Sequence, residues 1–165
     1  MLKFLRLIRK EFGRIGTLFI NRKIGLQGVT VNGLCKFNKQ TSFGEQCHFN
    51  GVWVDGPGPV RFGNGCHFGR NITIFTQNHN YRSREKLPYD DTFIVKGVSF
   101  GNYVWVGSSV IILPGTTVGD GVIVQAGSVV HGTLDRCGIY GGNPAMKFGT
   151  RDIALFEELN QYAGH

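Results

Sequence analysis

Apolar residues recur at every sixth position over most of this chain. In the second half the series runs through Ile94, Phe100, Val106, Ile112, Val118, Val124 and Val130. In the first half it runs through Val31, Phe37, Phe43 and Phe49, and after a one-residue shift around 55–59 through Phe62, Phe68 and Ile74. A period of six fits neither a helical turn nor the plain alternation of a strand. It predicts a repeat made of a short strand and a sharp turn.

The other positions of the repeat also favour a solenoid. Four residues after the apolar position the side chain is small or β-branched, except at Leu134, in the series Val98, Val104, Val110, Thr116, Val122 and Ser128. Cys35, Cys47 and Cys66 hold the same position, which predicts core thiols rather than disulfides. Three hexads would close one triangular coil, and coils would stack about 4.8 Å apart through parallel ladder hydrogen bonds. We therefore predict an all-β parallel β-helix, with the 25 glycines serving its turns.

The repeat divides the chain into three segments. Residues 25–148 form the predicted β-helix, and the polar, charged stretch 80–93 breaks the repeat as a protruding loop. Long insertions in solenoids lie on one face, which is often the binding face. Apolar residues at three- to four-residue spacing predict a short helix at each end, within the N-terminal cap 1–24 and the C-terminal helix and tail 149–165.

The net charge of +7 is concentrated at one end. Residues 1–23 contain seven basic residues against Glu11 alone. Two interpretations of the basic helix are open: it caps the first coil, or it lies on a membrane surface through residues 1–20. No nucleic-acid-binding motif accompanies the charge, and no apolar run is long enough to span a membrane. We expect a cytoplasmic protein, peripheral at the inner face of the membrane if the second interpretation holds.

The C-terminal half carries motifs that resemble a known family. They are Trp105-Val106-Gly107-Ser108, Leu113-Pro114-Gly115, Ala126-Gly127-Ser128 and Gly142-Asn143-Pro144-Ala145. In this order and spacing they are similar to the bacterial hexapeptide-repeat acetyltransferases, especially the galactoside, maltose and nodulation sugar O-acetyltransferases and their relatives in capsule and lipopolysaccharide clusters. The resemblance implies a left-handed β-helix, a homotrimer with active sites between subunits, acetyl-CoA as cosubstrate and no metal.

The resemblance also implies roles for individual residues. His79, just before the loop, matches the general base, and Ser108 is the candidate for stabilising the oxyanion. The residues implied for cofactor binding are Trp105, Gly107, Ala126, Gly127, His131, Asn143, Pro144 and Lys147. The residue implied for acceptor binding is Asn50. Independently of the resemblance, the positive charges of Arg82 and Arg84 in the loop favour an anionic or membrane-proximal acceptor, and these two residues are further candidates for binding it. The chemistry is consistent, because a hydroxyl that attacks a thioester at neutral pH needs a base, and histidine suits that task.

The expected activity is transfer of an acetyl group to a saccharide hydroxyl in surface polysaccharide biosynthesis. The acceptor would be a saccharide or a nucleotide sugar, and its oxygen would attack the thioester directly. Two alternatives stay open: an N-acetyltransferase of a nucleotide-linked amino sugar, and a non-catalytic β-helical scaffold. A zinc-dependent carbonic anhydrase of the same fold is disfavoured, because the chain lacks a pair of histidines spaced for zinc.

Overall fold

The computed structural model describes residues 17–19, 22–23 and 28–163, and side chains from 28 to 161. Within these residues the chain forms twenty-one strands and one helix. In chain order the strands are β1 Thr17–Phe19, β2 Arg22–Lys23, β3 Thr30–Val31, β4 Cys35–Phe37, β5 Thr41–Phe43, β6 His48–Phe49, β7 Val52–Asp55, β8 Val60–Phe62, β9 His67–Phe68, β10 Ile72–Phe75, β11 Gln77–His79, β12 Phe93–Val95, β13 Val98–Phe100, β14 Trp105–Val106, β15 Ile111–Ile112, β16 Thr117–Val118, β17 Ile123–Val124, β18 Val129–Val130, β19 Thr133–Leu134, β20 Gly138–Gly142 and β21 Ala145–Thr150. The helix α1 spans Ile153–Ala163.

The strands stack into three sheets that form the sides of a triangular prism. Sheet 1 has the order β1-β4-β7-β10-β15-β18, sheet 2 has the order β2-β3-β6-β9-β14-β17-β20-β21, and sheet 3 has the order β19-β16-β13-β8-β5. The chain visits sheets 1, 3 and 2 in turn, and the strands of successive coils pair in parallel. Antiparallel pairing occurs at the ends of the prism, where β1, β2 and β21 join it, and in the separate hairpin β11–β12. The predicted parallel β-helix of hexapeptide repeats is confirmed.

Both recurring positions of the repeat point into the prism, which explains why one is large and the other small. The ladder register places equivalent residues of successive coils directly above one another, as in the pairing of Phe62 with Phe43 and Phe100. These three rings stack nearly parallel, with centroid separations of 5.6 Å and 5.1 Å. The phenylalanine excess of the sequence therefore fills the wide part of the core with aromatic columns. Cys47 and Cys66 are fully buried in the narrow part, and both are free thiols.

Two details of the predicted register are wrong. Ile94 does not belong to the core series, because it lies in β12 of the hairpin and is only half-buried. Leu134 is not an exception at the small position, because it pairs with Val118 and so occupies the large position. The shift has a local cause: only His131 and Gly132 separate β18 from β19, whereas four residues separate β15 from β16 at the same corner of the preceding coil.

The predictions for the N- and C-terminal segments have different outcomes. The predicted C-terminal helix is confirmed, and its Phe156 packs against Tyr103 at 6.1 Å between ring centroids. The predicted N-terminal helix lies mostly outside the described residues, but Thr17–Phe19 form a strand rather than a helix. That strand pairs with β4, where a free ladder edge at the start of the prism accepts it. The described part of the chain contains no helix with the length and apolarity needed to span a membrane.

Candidate active site

Most of the predicted site residues lie at two different corners of the prism. The turns from sheet 2 into sheet 1 form what we call the Ser108 corner, and the turns from sheet 1 into sheet 3 form the hairpin corner. Ser108 follows β14 at the first corner, and the hairpin β11–β12 leaves the prism after β10 at the second. The two corners are separated by the face of sheet 1.

At the hairpin corner, Thr76 anchors the insertion to the preceding coil. The Thr76 hydroxyl is buried, donates a hydrogen bond to the carbonyl of Asp55 at 3.0 Å and accepts one from the N–H of Gly58 at 3.0 Å. The N–H of Lys96 returns to the carbonyl of Thr76 at 2.9 Å. The insertion therefore begins and ends at one bonded point, after which the core series resumes at Val98.

Asp90 organises the loop beyond the hairpin strands. Its carboxylate accepts hydrogen bonds from the side-chain amide of Asn80 at 3.0 Å and from the N–H of Thr92 at 2.8 Å. The Thr92 hydroxyl also donates to Asp90, and these hydrogen bonds hold the pKa of this carboxyl below its usual value. The network ties the two ends of the loop together, and Tyr89 lies next to it in sequence.

His79 is presented on the exposed side of this hairpin. Its imidazole stacks on the ring of Tyr89 at 3.9 Å between centroids with an interplanar angle of 19°. The ring of Phe93, its partner in the β11–β12 ladder, lies at 4.6 Å. No described residue forms a hydrogen bond with either ring nitrogen of His79. The aromatic contacts therefore orient the imidazole while leaving its nitrogens available for proton transfer.

At the Ser108 corner, successive coils approach one another closely. A Cβ atom at Gly107 would lie 2.6 Å from the backbone nitrogen of Ala126, so only glycine permits this spacing. The Ser108 hydroxyl accepts a hydrogen bond from the N–H of Arg70 at 3.0 Å. Within the described chain, the N–H groups of Ser108 and Ala126 have no acceptor, and both residues are exposed. Two free donors on neighbouring coils form a suitable surface for a carbonyl oxygen or an oxyanion.

The other residues predicted for cofactor binding mostly adjoin this corner. Trp105 lies on the outer face of sheet 2 and is 54% exposed, although its type is usually well buried. Gly127 has a φ of +76° at an open position of the corner. The turn with Asn143 and Pro144 is held beside it, because the N–H of Gly142 donates to the Ser128 hydroxyl at 3.2 Å.

Lys147 lies farther along, on β21, and its ammonium is 3.9 Å from a carboxylate oxygen of Asp135. Both side chains are substantially exposed, so solvent screens this pair.

Four predicted site residues do not lie at the Ser108 corner. His79, Arg82, Arg84 and His131 all belong to the hairpin corner, with His131 two coils beyond the hairpin. Asn50 is at the Ser108 corner instead, two coils before Ser108. Its amide donates to the carbonyl of Phe68 at 2.8 Å and accepts from the amide of Asn32 at 3.1 Å, which links adjacent coils. A single chain therefore does not assemble the whole predicted set.

Sequence reasoning missed the surroundings of two histidine sites. Tyr89 lies ten residues beyond His79 inside the stretch without periodicity, so no spacing signal connects the two. His48 and His67 lie in β6 and β9, on the outer face of sheet 2. Their rings stack with centroids 4.5 Å apart. The ladder that pairs His67 with Trp105 could have indicated this neighbourhood.

A cavity of about 380 Å³ lies along this outer face of sheet 2. Its lining includes His67, Tyr103, Trp105 and Arg151. No group of three or more candidate metal ligands occurs in the described part of the chain.

Comparison with known proteins agrees with this architecture. The family profile described as "Bacterial transferase hexapeptide (six repeats)" matches residues 97–132. A chloramphenicol acetyltransferase of Agrobacterium fabrum is 42% identical over 77 residues, which cover 44% of this chain and 34% of the relative. The putative lipopolysaccharide biosynthesis O-acetyl transferase WbbJ of Escherichia coli is 36% identical over 96 residues, covering 52% of this chain and 49% of the relative. The chain thus spans about a third to a half of the length of these curated relatives.

A solved structure shares most of the fold. The hexapeptide-repeat acetyltransferase VCA0836 of Vibrio cholerae is 25% identical, covers 90% of this chain and 80% of its own, and superposes with a TM-score of 0.65. The same Vibrio protein has been solved with acetyl coenzyme A, at 24% identity, coverage of 76% and 72%, and a TM-score of 0.61. Over residues 97–132 the chain matches the hexapeptide-repeat transferases, and its fold is similar to that of a solved member.

The histidine stack predicts a pH-dependent stability. Burial lowers the pKa of His67 and the neighbouring His48 lowers it further, so the folded state favours the neutral ring. The unfolded state binds a proton near the ordinary value of about 6.5. The contribution of neutral His67 to the free energy of unfolding is therefore fully present above that pH and is lost as the pH falls below it.

In His67→Gln the free energy of unfolding should decline less between pH 7.5 and pH 5.5 than in the wild type, as measured by denaturant titration. His131→Gln, at an exposed histidine without a ring contact among the described residues, is the matched control. Equal pH slopes in His67→Gln and the wild type would contradict this prediction.

Proposed function

We propose that this protein is an acetyl-CoA-dependent O-acetyltransferase that acts on a saccharide hydroxyl in surface polysaccharide biosynthesis. The observation that carries the proposal is His79: exposed on a protruding hairpin, oriented by two aromatic rings, and free of hydrogen bonds from the described residues at its nitrogens. Such a histidine serves as a general base better than as a structural group. The similar proteins include acetyltransferases, among them a putative lipopolysaccharide O-acetyl transferase, and they support the same class.

In the proposed mechanism His79 accepts the proton of the acceptor hydroxyl while that oxygen attacks the thioester carbon. Negative charge then develops on the former carbonyl oxygen, and the free N–H of Ser108, with its hydroxyl, is the candidate donor for it. As the carbon–sulfur bond breaks, the protonated His79 returns the proton to the departing sulfur. The acceptor oxygen keeps the acetyl group, and His79 ends in its starting state.

The Ser108 corner and the adjoining surfaces have the features that an extended thioester substrate needs. Gly107 and Gly127 add no side chain to the corner, while Ala126 offers a free N–H and Trp105 an exposed apolar surface. Asn143 and Pro144 extend this surface towards the end of the prism, and Lys147 supplies a cation there. His131 belongs to the opposite corner, so it would reach the cosubstrate from a different copy of the chain.

We further propose a homotrimer in which each site combines the hairpin corner of one copy with the Ser108 corner of its neighbour. The support is the separation of His79 from Ser108 across sheet 1 within a single chain. A threefold ring of identical, head-to-tail contacts brings the two corners together three times. Trp53 and Ile111, both partly exposed on the outer face of sheet 1, supply apolar surface between the corners.

Loss of the base tests the activity itself. His79→Ala should lower acceptor-dependent release of CoA thiol by roughly 10²–10⁴-fold, because the hydroxyl then keeps its proton in the attack. Thiol release is measured against a panel of saccharides, amino sugars and nucleotide sugars, with chloramphenicol added. His48→Gln, outside the proposed machinery, is the control and should keep wild-type rates. Transfer that survives in His79→Ala, or that uses chloramphenicol alone, would refute the corresponding part of the proposal.

Mixed oligomers test the shared site. His79→Ala and Ala126→Arg, the second a bulky residue at the open corner, should each be inactive alone. After unfolding and refolding together, random trimers should regain about one quarter of wild-type activity, because a competent site needs one intact corner from each of two copies. Size-exclusion chromatography with light scattering should give the mass of a trimer for each variant and for the mixture. Mixtures as inactive as the separate variants would show that each chain holds its own site.

The charges of the hairpin indicate an anionic acceptor. Lys86 is paired with Asp91 at 3.0 Å, and Asp90 is used inside the loop. Arg82 and Arg84 follow His79 by three and five residues in the chain and form no salt bridge with a described residue, so their charges are available to a ligand. The guanidinium of Arg82 lies 5.6 Å from the ring centroid of Tyr81. A sugar carried on a nucleotide diphosphate or a lipid diphosphate would complement them.

Reversal of these two charges should therefore weaken acceptor binding specifically. In the double variant Arg82→Glu/Arg84→Glu, the acceptor KM should rise about tenfold or more, because attraction becomes repulsion at two positions. The KM for acetyl-CoA should stay unchanged. Arg61→Glu, an exposed charge reversal on sheet 3, controls for net charge. An unchanged acceptor KM in steady-state kinetics would exclude an acceptor role for these arginines.

A further inference from the structure

The stack between Tyr89 and His79 points to a function for a residue outside the family motifs. Tyr89 is 40% exposed at the base of a loop otherwise rich in charge. The loop holds Tyr89 in place, because the next residue is Asp90, whose carboxylate accepts hydrogen bonds from both ends of the loop. The loop network therefore holds the phenol ring against the imidazole.

The geometry is that of an oriented stack. The 3.9 Å centroid separation and 19° interplanar angle place the face of Tyr89 against the face of His79. Rotation of the imidazole about its side-chain bonds would break this contact, and Phe93 at 4.6 Å further restricts the ring. No described residue forms a hydrogen bond with either nitrogen on the edge of the imidazole. The base is thus oriented before any substrate arrives.

The stack also changes in strength during the proposed reaction. A general base is neutral at the start and cationic once it has taken the proton. The face of an aromatic ring attracts a cation more than a neutral group. Tyr89 therefore stabilises the imidazolium of the transition state more than the resting imidazole, which is the condition for raising kcat rather than only improving binding.

We propose that Tyr89 is the positioning residue of the general base: its ring face fixes the plane of His79 and stabilises the charge that His79 acquires. This inference rests on the proposed acetyl transfer and deepens it. The phenol hydroxyl has no part in it, so phenylalanine should substitute for Tyr89, whereas an aliphatic residue of similar bulk should not.

Three variants of the full-length protein separate these effects. Tyr89→Leu keeps apolar bulk but removes the ring face, and its kcat should fall about 5- to 50-fold with KM values near wild type. Tyr89→Phe should stay within about twofold of wild type. Leu87→Ala, in the same loop and 89% exposed, is the control for general disturbance and should behave as wild type.

Two readouts report on the stack itself. The acidic limb of the kcat/KM pH profile should move to lower pH by about half a unit in Tyr89→Leu, because the imidazolium loses its aromatic partner. The imidazole proton resonances of His79, assigned by their absence in His79→Ala, should shift downfield in Tyr89→Leu when the ring current is lost. Tyr89→Phe should change neither readout.

The outcomes distinguish this inference from the proposed function. If His79→Ala is inactive while Tyr89→Leu matches Leu87→Ala in kcat and pH profile, the positioning role is refuted and the general base stands. If Tyr89→Phe loses as much activity as Tyr89→Leu, the hydroxyl rather than the ring face matters, which also refutes the inference. If His79→Ala retains wild-type transfer, the proposed function fails together with it.

Discussion

The backbone hydrogen bond between successive coils is the interaction on which the rest of this structure depends. Examples are the N–H of Ile111 to the carbonyl of Ser128 at 2.9 Å and the N–H of Leu113 to that of Val130 at 2.8 Å. These bonds fix the separation of the coils, and that separation decides what each position tolerates. It requires glycine at 107, aromatic columns in the wide part of the core, and small thiols in the narrow part. Residues of the Ser108 corner are thereby held in rows by ladder geometry, to which side-chain hydrogen bonds such as those of Asn50 and Ser108 add.

The sequence was sufficient for those features that the ladder repeats. A position that recurs in every coil leaves a period of six, and both inward-facing positions could be found from it. A single event leaves no period. The shortened corner at His131 and Gly132, which moves Leu134 to the large position, became visible only from strand pairing. The strand at Thr17–Phe19 shows the same limit, because the local spacing of apolar residues suggested a helix while a free ladder edge determined the conformation.

The candidate site likewise has one part inside the hexapeptide repeat and one part outside it. Residues of the Ser108 corner lie within the repeat, so motif and structure agree on their neighbourhood. The hairpin lies outside the repeat, and the contacts of His79 there depend on tertiary pairing across ten residues of irregular chain. The break in periodicity indicated where the hairpin would be, but not that Tyr89 would stack on His79 or that Asp90 would hold the loop. The separation of the corners also could not be read from the motifs, because it follows from the three-sided path of the chain.

The anchor at Thr76 has a consequence for how proteins of this shape can change. The Lys96 N–H donates a hydrogen bond to the Thr76 carbonyl, so the two ends of the hairpin insertion lie together. The coil therefore continues after the insertion with its register intact. The entropic cost of closing a loop rises only slowly with its length, so a longer or shorter insertion at this point costs little free energy of folding. The prism and the free N–H groups of Ser108 and Ala126 can therefore stay constant while the hairpin insertion is replaced. Selection can alter the surroundings of His79, and with them the proposed choice of acceptor, without disturbing the Ser108 corner.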